Sequence, residues 1–204
     1  MISLPGNAVL LLIDVQQAFN NPRWGARNNP DAEKNIAALL AAWRQRSMPV
    51  FHVHHINPQS TSLFRPNSPG SLVKEEAVPL PGELVFVKSV NSGFIGTDLE
   101  AQLRAQTITT LVVAGITTDH CVSTTARMAG NLGFSTYVVS DATATFERVG
   151  PDGRHWSAET MHDTALASLN KEFATVLSHA EVLQCLSSSP GSLAVDRLQE
   201  STHA

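Results

Sequence analysis

The sequence predicts an α/β protein, built as a three-layer α/β/α sandwich around a doubly wound, mainly parallel sheet. Apolar stretches of strand length alternate along the chain with stretches whose apolar residues recur at helical spacing, which is typical of βαβ units. The strand-like stretches are continuously rich in Val, Leu and Ile, as in sheets that are covered on both faces. Right-handed crossovers between such strands place helices on both sides of one sheet.

The elements follow one another in a regular order. Six apolar runs are predicted as strands, at residues 9–13, 49–54, 84–87, 108–114, 134–139 and 173–177. Four helices are predicted between them, at about residues 29–46, 99–103, 119–132 and 157–169. In the first helix Leu39, Leu40 and Trp43 recur at helical spacing, and Gly115 is expected to break the fourth strand.

Reactive side chains follow three of these strands. Asp14 ends the first strand, Lys88 ends the third, and the segment 115–121 follows the fourth. Ligands of open α/β sheets bind beyond the carboxyl ends of the strands. These groups, distant in sequence, are therefore predicted to meet at one edge of the sheet.

Length, net charge and cysteine content argue against several classes of protein. The 204 residues suit a single domain, predicted at residues 1–186, with a tail at 187–204 that is flexible or docks through Ala194, Val195 and Leu198. A formal charge of −4 argues against a nucleic-acid partner, and the longest apolar runs are too short to cross a membrane. With two cysteines and no basic segment ahead of an apolar run near the N-terminus, a cytoplasmic location is expected.

Cys121 is the candidate nucleophile. It follows a strand and a turn, at the expected start of a helix, where the helix dipole would lower the thiol pKa and free N–H groups could hold an oxyanion. The alternative is that Cys121 is a small buried apolar residue, which is the expectation for Cys185 in its apolar segment.

Four sequence motifs, which follow one another along the chain, support the hypothesis that Cys121 is a nucleophile. They are Leu-Leu-Ile-Asp-Val-Gln-Gln-Ala-Phe at 11–19, Lys-Ser-Val-Asn-Ser-Gly-Phe at 88–94, Gly-Ile-Thr-Thr-Asp-His-Cys-Val-Ser-Thr-Thr-Ala at 115–126 and Val-Val-Ser-Asp-Ala at 138–142. Together they make the chain, over about residues 7 to 183, resemble the isochorismatase-like cysteine hydrolases, a family that includes nicotinamidase, N-carbamoylsarcosine amidase and isochorismatase.

The resemblance implies a catalytic triad of Asp14, Lys88 and Cys121. Cys121 would attack a carbonyl carbon, Asp14 would move the proton, and Lys88 would hold Asp14 and balance its charge. The resemblance also implies a cis peptide bond between Ile116 and Thr117, with the N–H groups of Thr117 and Cys121 as the oxyanion hole. It further implies a homo-oligomer.

Substrate contacts are predicted for five side chains, with the loops at 20–30, 56–83 and 146–156 shaping the pocket. These side chains are Phe19, Trp24, His54, His55 and Phe94.

A metal site near the histidines is not expected. Metal-binding relatives carry an Asp-x-His pair, and Val53 stands where that Asp would be, two positions before His55. The sequence therefore predicts a hydrolase with no metal or cofactor.

The predicted activity is cleavage of a C–N bond in a small amide, ureide or lactam through a thioester with Cys121. Two alternatives remain at this point. One is a vinyl-ether hydrolase of the isochorismatase type, in which the Asp acts as an acid. The other is a non-catalytic, partner-binding protein of the same fold.

Overall fold

A computed structural model describes residues 3–187 of the chain. The strands are β1 (Val9–Ile13), β2 (Val50–His55), β3 (Leu84–Lys88), β4 (Thr110–Ile116), β5 (Ser135–Ala144), β6 (Arg148–Val149), β7 (His155–Trp156) and β8 (Thr175–Leu177). The helices are α1 (Ala32–Gln45), α2 (Leu99–Ala105), α3 (Ser123–Asn131), α4 (Ala158–Leu169) and α5 (His179–Ser187).

Six strands form one sheet in the order β3-β2-β1-β4-β5-β8, and every neighbouring pair is parallel. The predicted α/β sandwich around a parallel sheet is confirmed. Strand order reverses at β1, which has β2 on one side and β4 on the other. The carboxyl ends of β1 and β4 thus flank the point where doubly wound sheets bind their ligands.

Alternate residues of the strands supply two separate cores, one on each face of the sheet. On one face Leu10, Leu12 and Val112 pack with residues of α1 and α5, including Trp43 and Val182. On the other face, strand residues pack with helices α2, α3 and α4; they include Val9, Leu11, Ile13, Phe51, Val53 and Val113. All of these strand residues are buried, which explains the absence of polar alternation in the sequence.

Gly115 does not end the fourth strand as expected; it lies inside β4. Its φ is +135°, and a Cβ added there would stand 2.0 Å from the carbonyl oxygen of Ile13 on β1. The pairing of β4 with β5 also shifts register between Val113 and Gly115. The glycine is therefore required by a close approach of two strands, and β4 continues to Ile116.

Several elements differ from the sequence prediction. Helix α3 begins at Ser123, after a single π-helical turn over Thr118–Val122, and β5 extends to Ala144. The β6–β7 hairpin and α5 were not predicted. Ser187 is the last residue of α5. The rest of the predicted tail, with Ala194, Val195 and Leu198, lies outside the described residues. Within residues 3–187, no helix is both long and apolar enough to span a lipid bilayer.

Candidate active site

Three strand ends bring Asp14, Lys88 and Cys121 together. Asp14 directly follows β1, in the left-handed conformation (φ +52°) that Asp tolerates better than most residues, and its N–H donates to the Val53 carbonyl at 2.8 Å. Lys88 ends β3, paired in register with His55 at the end of β2. Cys121 lies in the turn that follows β4.

Lys88 bridges the other two groups. Its Nζ donates to Asp14 Oδ2 at 2.6 Å and lies 3.5 Å from Cys121 Sγ. Asp14 and Lys88 are buried, and Cys121 is half-buried. Among the described residues, the second carboxylate oxygen, Asp14 Oδ1, is buried without a well-formed hydrogen bond, and the Cys121 thiol interacts with this carboxylate as a hydrogen-bond donor. Asp14 Oδ1 is therefore the oxygen that is available to take a proton.

The electrostatics of the thiol differ from the sequence expectation. A helix terminus was expected to lower the pKa of Cys121, but burial and the neighbouring Asp14 carboxylate raise it, against the opposing effect of Lys88. Burial also raises the pKa of Asp14, although Lys88 opposes this. The thiol is thus held protonated beside a carboxylate whose affinity for a proton is enhanced.

The turn that carries Cys121 is fixed by backbone and side-chain contacts. The Ile116–Thr117 peptide bond is cis, at the position that the resemblance implies, and the Val122 N–H donates to the Thr117 carbonyl at 3.1 Å. Behind the turn, the Thr118 hydroxyl lies 2.9 Å from Nδ1 of His162, a buried residue of α4. His162 cannot be identified as a site residue from the sequence, because nothing in its own helix indicates this long-range contact.

A cavity of about 300 Å³ opens above Cys121, within the size range of small-molecule sites. Of the residues predicted for the site, Asp14, Thr117, Cys121, Phe19, Trp24 and His55 line it. Lys88 lies behind Asp14 and does not. The other lining residues were not predicted individually; they are Arg23, Asn57, Gln59, Thr61, Ser62, Leu63, Phe64, Asn91 and His120.

Phe19, Trp24 and Phe64 form an aromatic wall of this cavity. The Phe19 ring centroid lies 5.3 Å from that of Trp24 and 5.2 Å from that of Phe64. Phe64 comes from the Pro-rich loop at 56–83, which is predicted to shape the pocket although the sequence does not indicate which of its residues do so. A loop of irregular structure gives no periodic signal by which an inward-facing residue can be identified.

The Isochorismatase domain family matches residues 8–181. The chain belongs to the isochorismatase family. It is 45% identical over 174 residues to the isochorismatase family protein YrdC of Bacillus subtilis, covering 85% of this chain and 93% of that protein. The structure is similar to the crystal structure of an isochorismatase-family hydrolase from Chromobacterium violaceum, with a TM-score of 0.89, 44% identity, and coverage of 92% of this chain and 97% of that one.

A more distant relative has a named activity. The ureidoacrylate amidohydrolase RutB of Methylobacterium radiotolerans is 27% identical over 207 residues, covering 84% of this chain and 76% of that protein. The chain is therefore an isochorismatase-family hydrolase with amidohydrolases among its relatives.

Two of the residues predicted to contact substrate, Phe94 and His54, do not line the cavity. Phe94 is buried in the core, where its ring stacks on Phe134 at 6.0 Å, and it does not line the cavity. His54 alternates with His55 along β2 and so lies on the opposite face of the sheet, beside His52. Of the two neighbouring histidines, only His55 reaches the cavity.

His55 is fixed at the end of β2 by Gln16. The Gln16 side chain accepts a hydrogen bond from the His55 N–H at 2.7 Å and donates to its carbonyl at 3.0 Å. His55 Nδ1 lies 3.3 Å from Lys88 Nζ. Burial and the Lys88 charge lower the pKa of His55, so that the neutral imidazole faces the cavity.

The donor set near these histidines does not match a metal site. Val53, where metal-binding relatives would place a carboxylate, is buried in the core that packs against α2 and α3. Over residues 3–187, no three His, Cys, Asp or Glu side chains are grouped so that they could hold a metal ion.

Proposed function

We propose that this isochorismatase-family hydrolase cleaves a C–N bond of a small amide, ureide or lactam through a thioester on Cys121. One observation carries the proposal: Lys88 Nζ lies 2.6 Å from Asp14 Oδ2 and 3.5 Å from Cys121 Sγ, beneath a cavity of small-molecule size. A thiol, a carboxylate and an ammonium group in this arrangement form a nucleophile, a base and a counter-charge.

The first half of the reaction forms the thioester. The thiol proton of Cys121 passes to Asp14 Oδ1 as the sulfur attacks the carbonyl carbon and the π electron pair moves to oxygen. When the C=O bond re-forms, the C–N bond breaks, and the nitrogen takes the proton from Asp14 and leaves as an amine or ammonia. The two raised pKa values fit a proton that moves only together with sulfur attack, because a free thiolate beside the Asp14 carboxylate is disfavoured.

The second half uses the same groups in reverse. A water molecule gives one proton to Asp14 and attacks the thioester carbonyl carbon, the C–S bond breaks, and the sulfur regains its proton from Asp14. Throughout, Lys88 keeps the buried carboxylate paired when it is ionised. In each half, the N–H groups of Thr117 and Cys121 would hold the oxyanion; both residues line the cavity.

We also propose that the reaction needs no resident metal. The side chains near His55 support the proposal. Val53 has no lone pair to offer a metal ion, and His55 Nδ1 lies 3.3 Å from Lys88 Nζ, a positively charged group. Activity is expected to survive prolonged incubation with a chelator, measured as ammonia release before and after dialysis. Loss on chelation, followed by recovery with one divalent ion, would refute a metal-free reaction.

Trapping of the covalent intermediate tests the function directly. The protein is incubated with a panel of small amides and ureides, quenched in acid and measured by intact mass. An added acyl group, located at Cys121 by peptide mapping, is expected for each compound that releases ammonia or an amine. Cys121→Ala should show neither adduct nor turnover, because it lacks the nucleophile.

Cys185→Ala is the matched control, because the second cysteine is buried in the core away from the cavity. It should keep both adduct and turnover. Turnover by Cys121→Ala at the rate of the unmodified protein would refute covalent catalysis by this residue.

A further inference from the structure

We propose that Arg23 is an anion-binding residue at the mouth of the catalytic cavity, and that the substrate is a small amide or ureide that carries a carboxylate. The part that concerns the substrate rests on the function proposed above.

The charges around the cavity point to an anionic ligand. Within residues 3–187, the acidic and basic side chains that line the cavity are the carboxylate of Asp14, the guanidinium of Arg23 and the imidazoles of His55 and His120, of which His55 is held neutral by burial and by Lys88. Asp14 is neutralised by Lys88 at 2.6 Å. The guanidinium of Arg23 is therefore the charge in the lining that a substrate would meet without a counter-charge beside it.

Arg23 differs in this respect from three other arginines of the protein. Arg27, Arg44 and Arg148 each form an ion pair with a carboxylate, at 2.5, 2.8 and 3.2 Å. For Arg23, no carboxylate within residues 3–187 lies at ion-pair distance, and its guanidinium makes a single long contact, 3.4 Å from Nη1 to the Thr61 carbonyl. Its planar fork of donors is free to bind a carboxylate through two parallel hydrogen bonds.

The backbone on both sides of Arg23 is held in place. The Arg23 N–H donates to Asn21 Oδ1 at 3.0 Å, in a short 3₁₀ turn. The next residue, Trp24, donates from its indole Nε1 to the Ala18 carbonyl at 2.9 Å and packs on Phe19. A side chain that starts from a fixed backbone loses less freedom when it binds a ligand, which favours a binding role.

The order of residues along the cavity defines the shape of the substrate. Asp14 and Cys121 lie at the inner end, where the scissile carbonyl must be placed. Arg23 is exposed and so lies at the mouth. Between them the aromatic wall, Trp24 with Phe19 and Phe64, accepts a flat or apolar group.

The expected ligand is a monoanion. One guanidinium with the neutral side chains of Asn57 and Gln59 nearby suits a carboxylate, whereas a phosphate would call for more positive charge. The substrate class is therefore an amide or ureide at one end, a flat spacer, and a carboxylate at the other.

Binding to Cys121→Ala tests the subsite without any turnover. Two matched ligands are 3-carbamoylbenzoate and its neutral counterpart benzene-1,3-dicarboxamide, and titration calorimetry gives the Kd of each. We expect the carboxylate to bind at least about 30-fold more tightly at low ionic strength, and this preference to shrink with added salt. Introducing Arg23→Gln should reduce the preference to about threefold or less, with little change for the neutral ligand.

Arg65→Gln is the matched control. Arg65 is also exposed and also donates to one backbone carbonyl, that of Ser60 at 2.7 Å, but it lines a neighbouring cavity without the triad. It should leave the preference intact. Equal affinity of the two ligands, or a preference that survives Arg23→Gln, would overturn the proposal.

Hydrolysis of the same pair by the unmodified protein separates this inference from the proposed function. Faster release of ammonia from the carboxylate, with the advantage lost in Arg23→Gln through KM, supports both. Selective binding without any release would leave the anion subsite standing and count against the amide hydrolase. Release at equal rates from both ligands would support the hydrolase and refute the subsite.

Discussion

Glu33→Gln is expected to destabilise the protein by about 3 kcal/mol at pH 7. Glu33, in the first turn of α1, is buried, and it accepts hydrogen bonds from Arg27 at 2.7 and 2.5 Å and from Lys74 at 2.5 Å. Lys74 in turn donates to Asn20 at 2.6 Å. The substitution would leave two cations without their carboxylate, next to an amide that also donates hydrogen bonds.

The magnitude follows from the pKa of Glu33. Burial would raise it, but the hydrogen bonds and charges of Arg27 and Lys74 dominate and hold it at about 2, against the ordinary value of 4.5. That difference corresponds to about 3 kcal/mol in favour of the ionised form. Because the folded-state pKa is depressed, this stability is present above pH 4.5 and is lost as the pH falls towards 2.

Urea denaturation of Glu33→Gln and the unmodified protein, at a series of pH values, measures this difference. The gap in the free energy of unfolding should be largest above pH 4.5 and should narrow below it. Glu76→Gln, at an exposed position near Lys74, is the control and should cost less than about 0.5 kcal/mol. A gap below 1 kcal/mol at pH 7, or one that does not depend on pH, would refute the reasoning.

Three further predictions concern the site. Burial raises the pKa of Asp14, and a protonated Asp14 cannot accept the thiol proton. The value of kcat/KM should therefore fall at acidic pH, with a midpoint above the ordinary carboxyl pKa of 3.8. A pH–rate profile with a midpoint at or below 3.8 would contradict this. Thr118→Val and His162→Phe should each slow acylation of Cys121 about tenfold, because each removes the same hydrogen bond between these two side chains. The double variant should be no slower than either single variant. Additive losses in single-turnover rates would show that the two residues act separately. Gly115→Ala should lower the free energy of unfolding by about 3 kcal/mol or prevent folding, because the added Cβ would clash with the Ile13 carbonyl. Gly6→Ala is the control, since a Cβ there would meet open space, and it should be nearly neutral. Thermal unfolding measures both variants.

Much of the fold follows from local sequence. The apolar run that became β1 ends where the sequence predicts, at Ile13 before Asp14, whereas β2 and β3 each continue one residue beyond the predicted run, to His55 and Lys88. Parallel strands present their carboxyl ends at one edge of a sheet, so the approach of Asp14, Lys88 and Cys121 was predictable from order alone. The motifs around these residues predicted the family, which the match over residues 8–181 confirms.

Alternation along a strand decided which histidine reaches the cavity. From the sequence, His54 and His55 are equally good candidates for contact with the cavity. Neighbouring residues of a strand point to opposite faces of the sheet, however, and only the packed structure shows that α1 covers the face to which His54 belongs. Phe94, also predicted to contact substrate, does not line the cavity. It follows Lys88 closely in the chain, yet it packs on Phe134, a residue that only the fold brings near.

The sequence by itself determined where β1 ends, that the strands run parallel, and which three reactive groups follow them, because these depend on periodicity and on residue type. Only the tertiary structure decided the proton affinity of Cys121, since burial and the Asp14 carboxylate act through space and outweigh the effect expected of a helix terminus. The same holds for Arg23 and Phe64, which reach the cavity from irregular loops. A side chain in such a loop has no period that fixes its direction, so its role is set by the surfaces against which the loop packs.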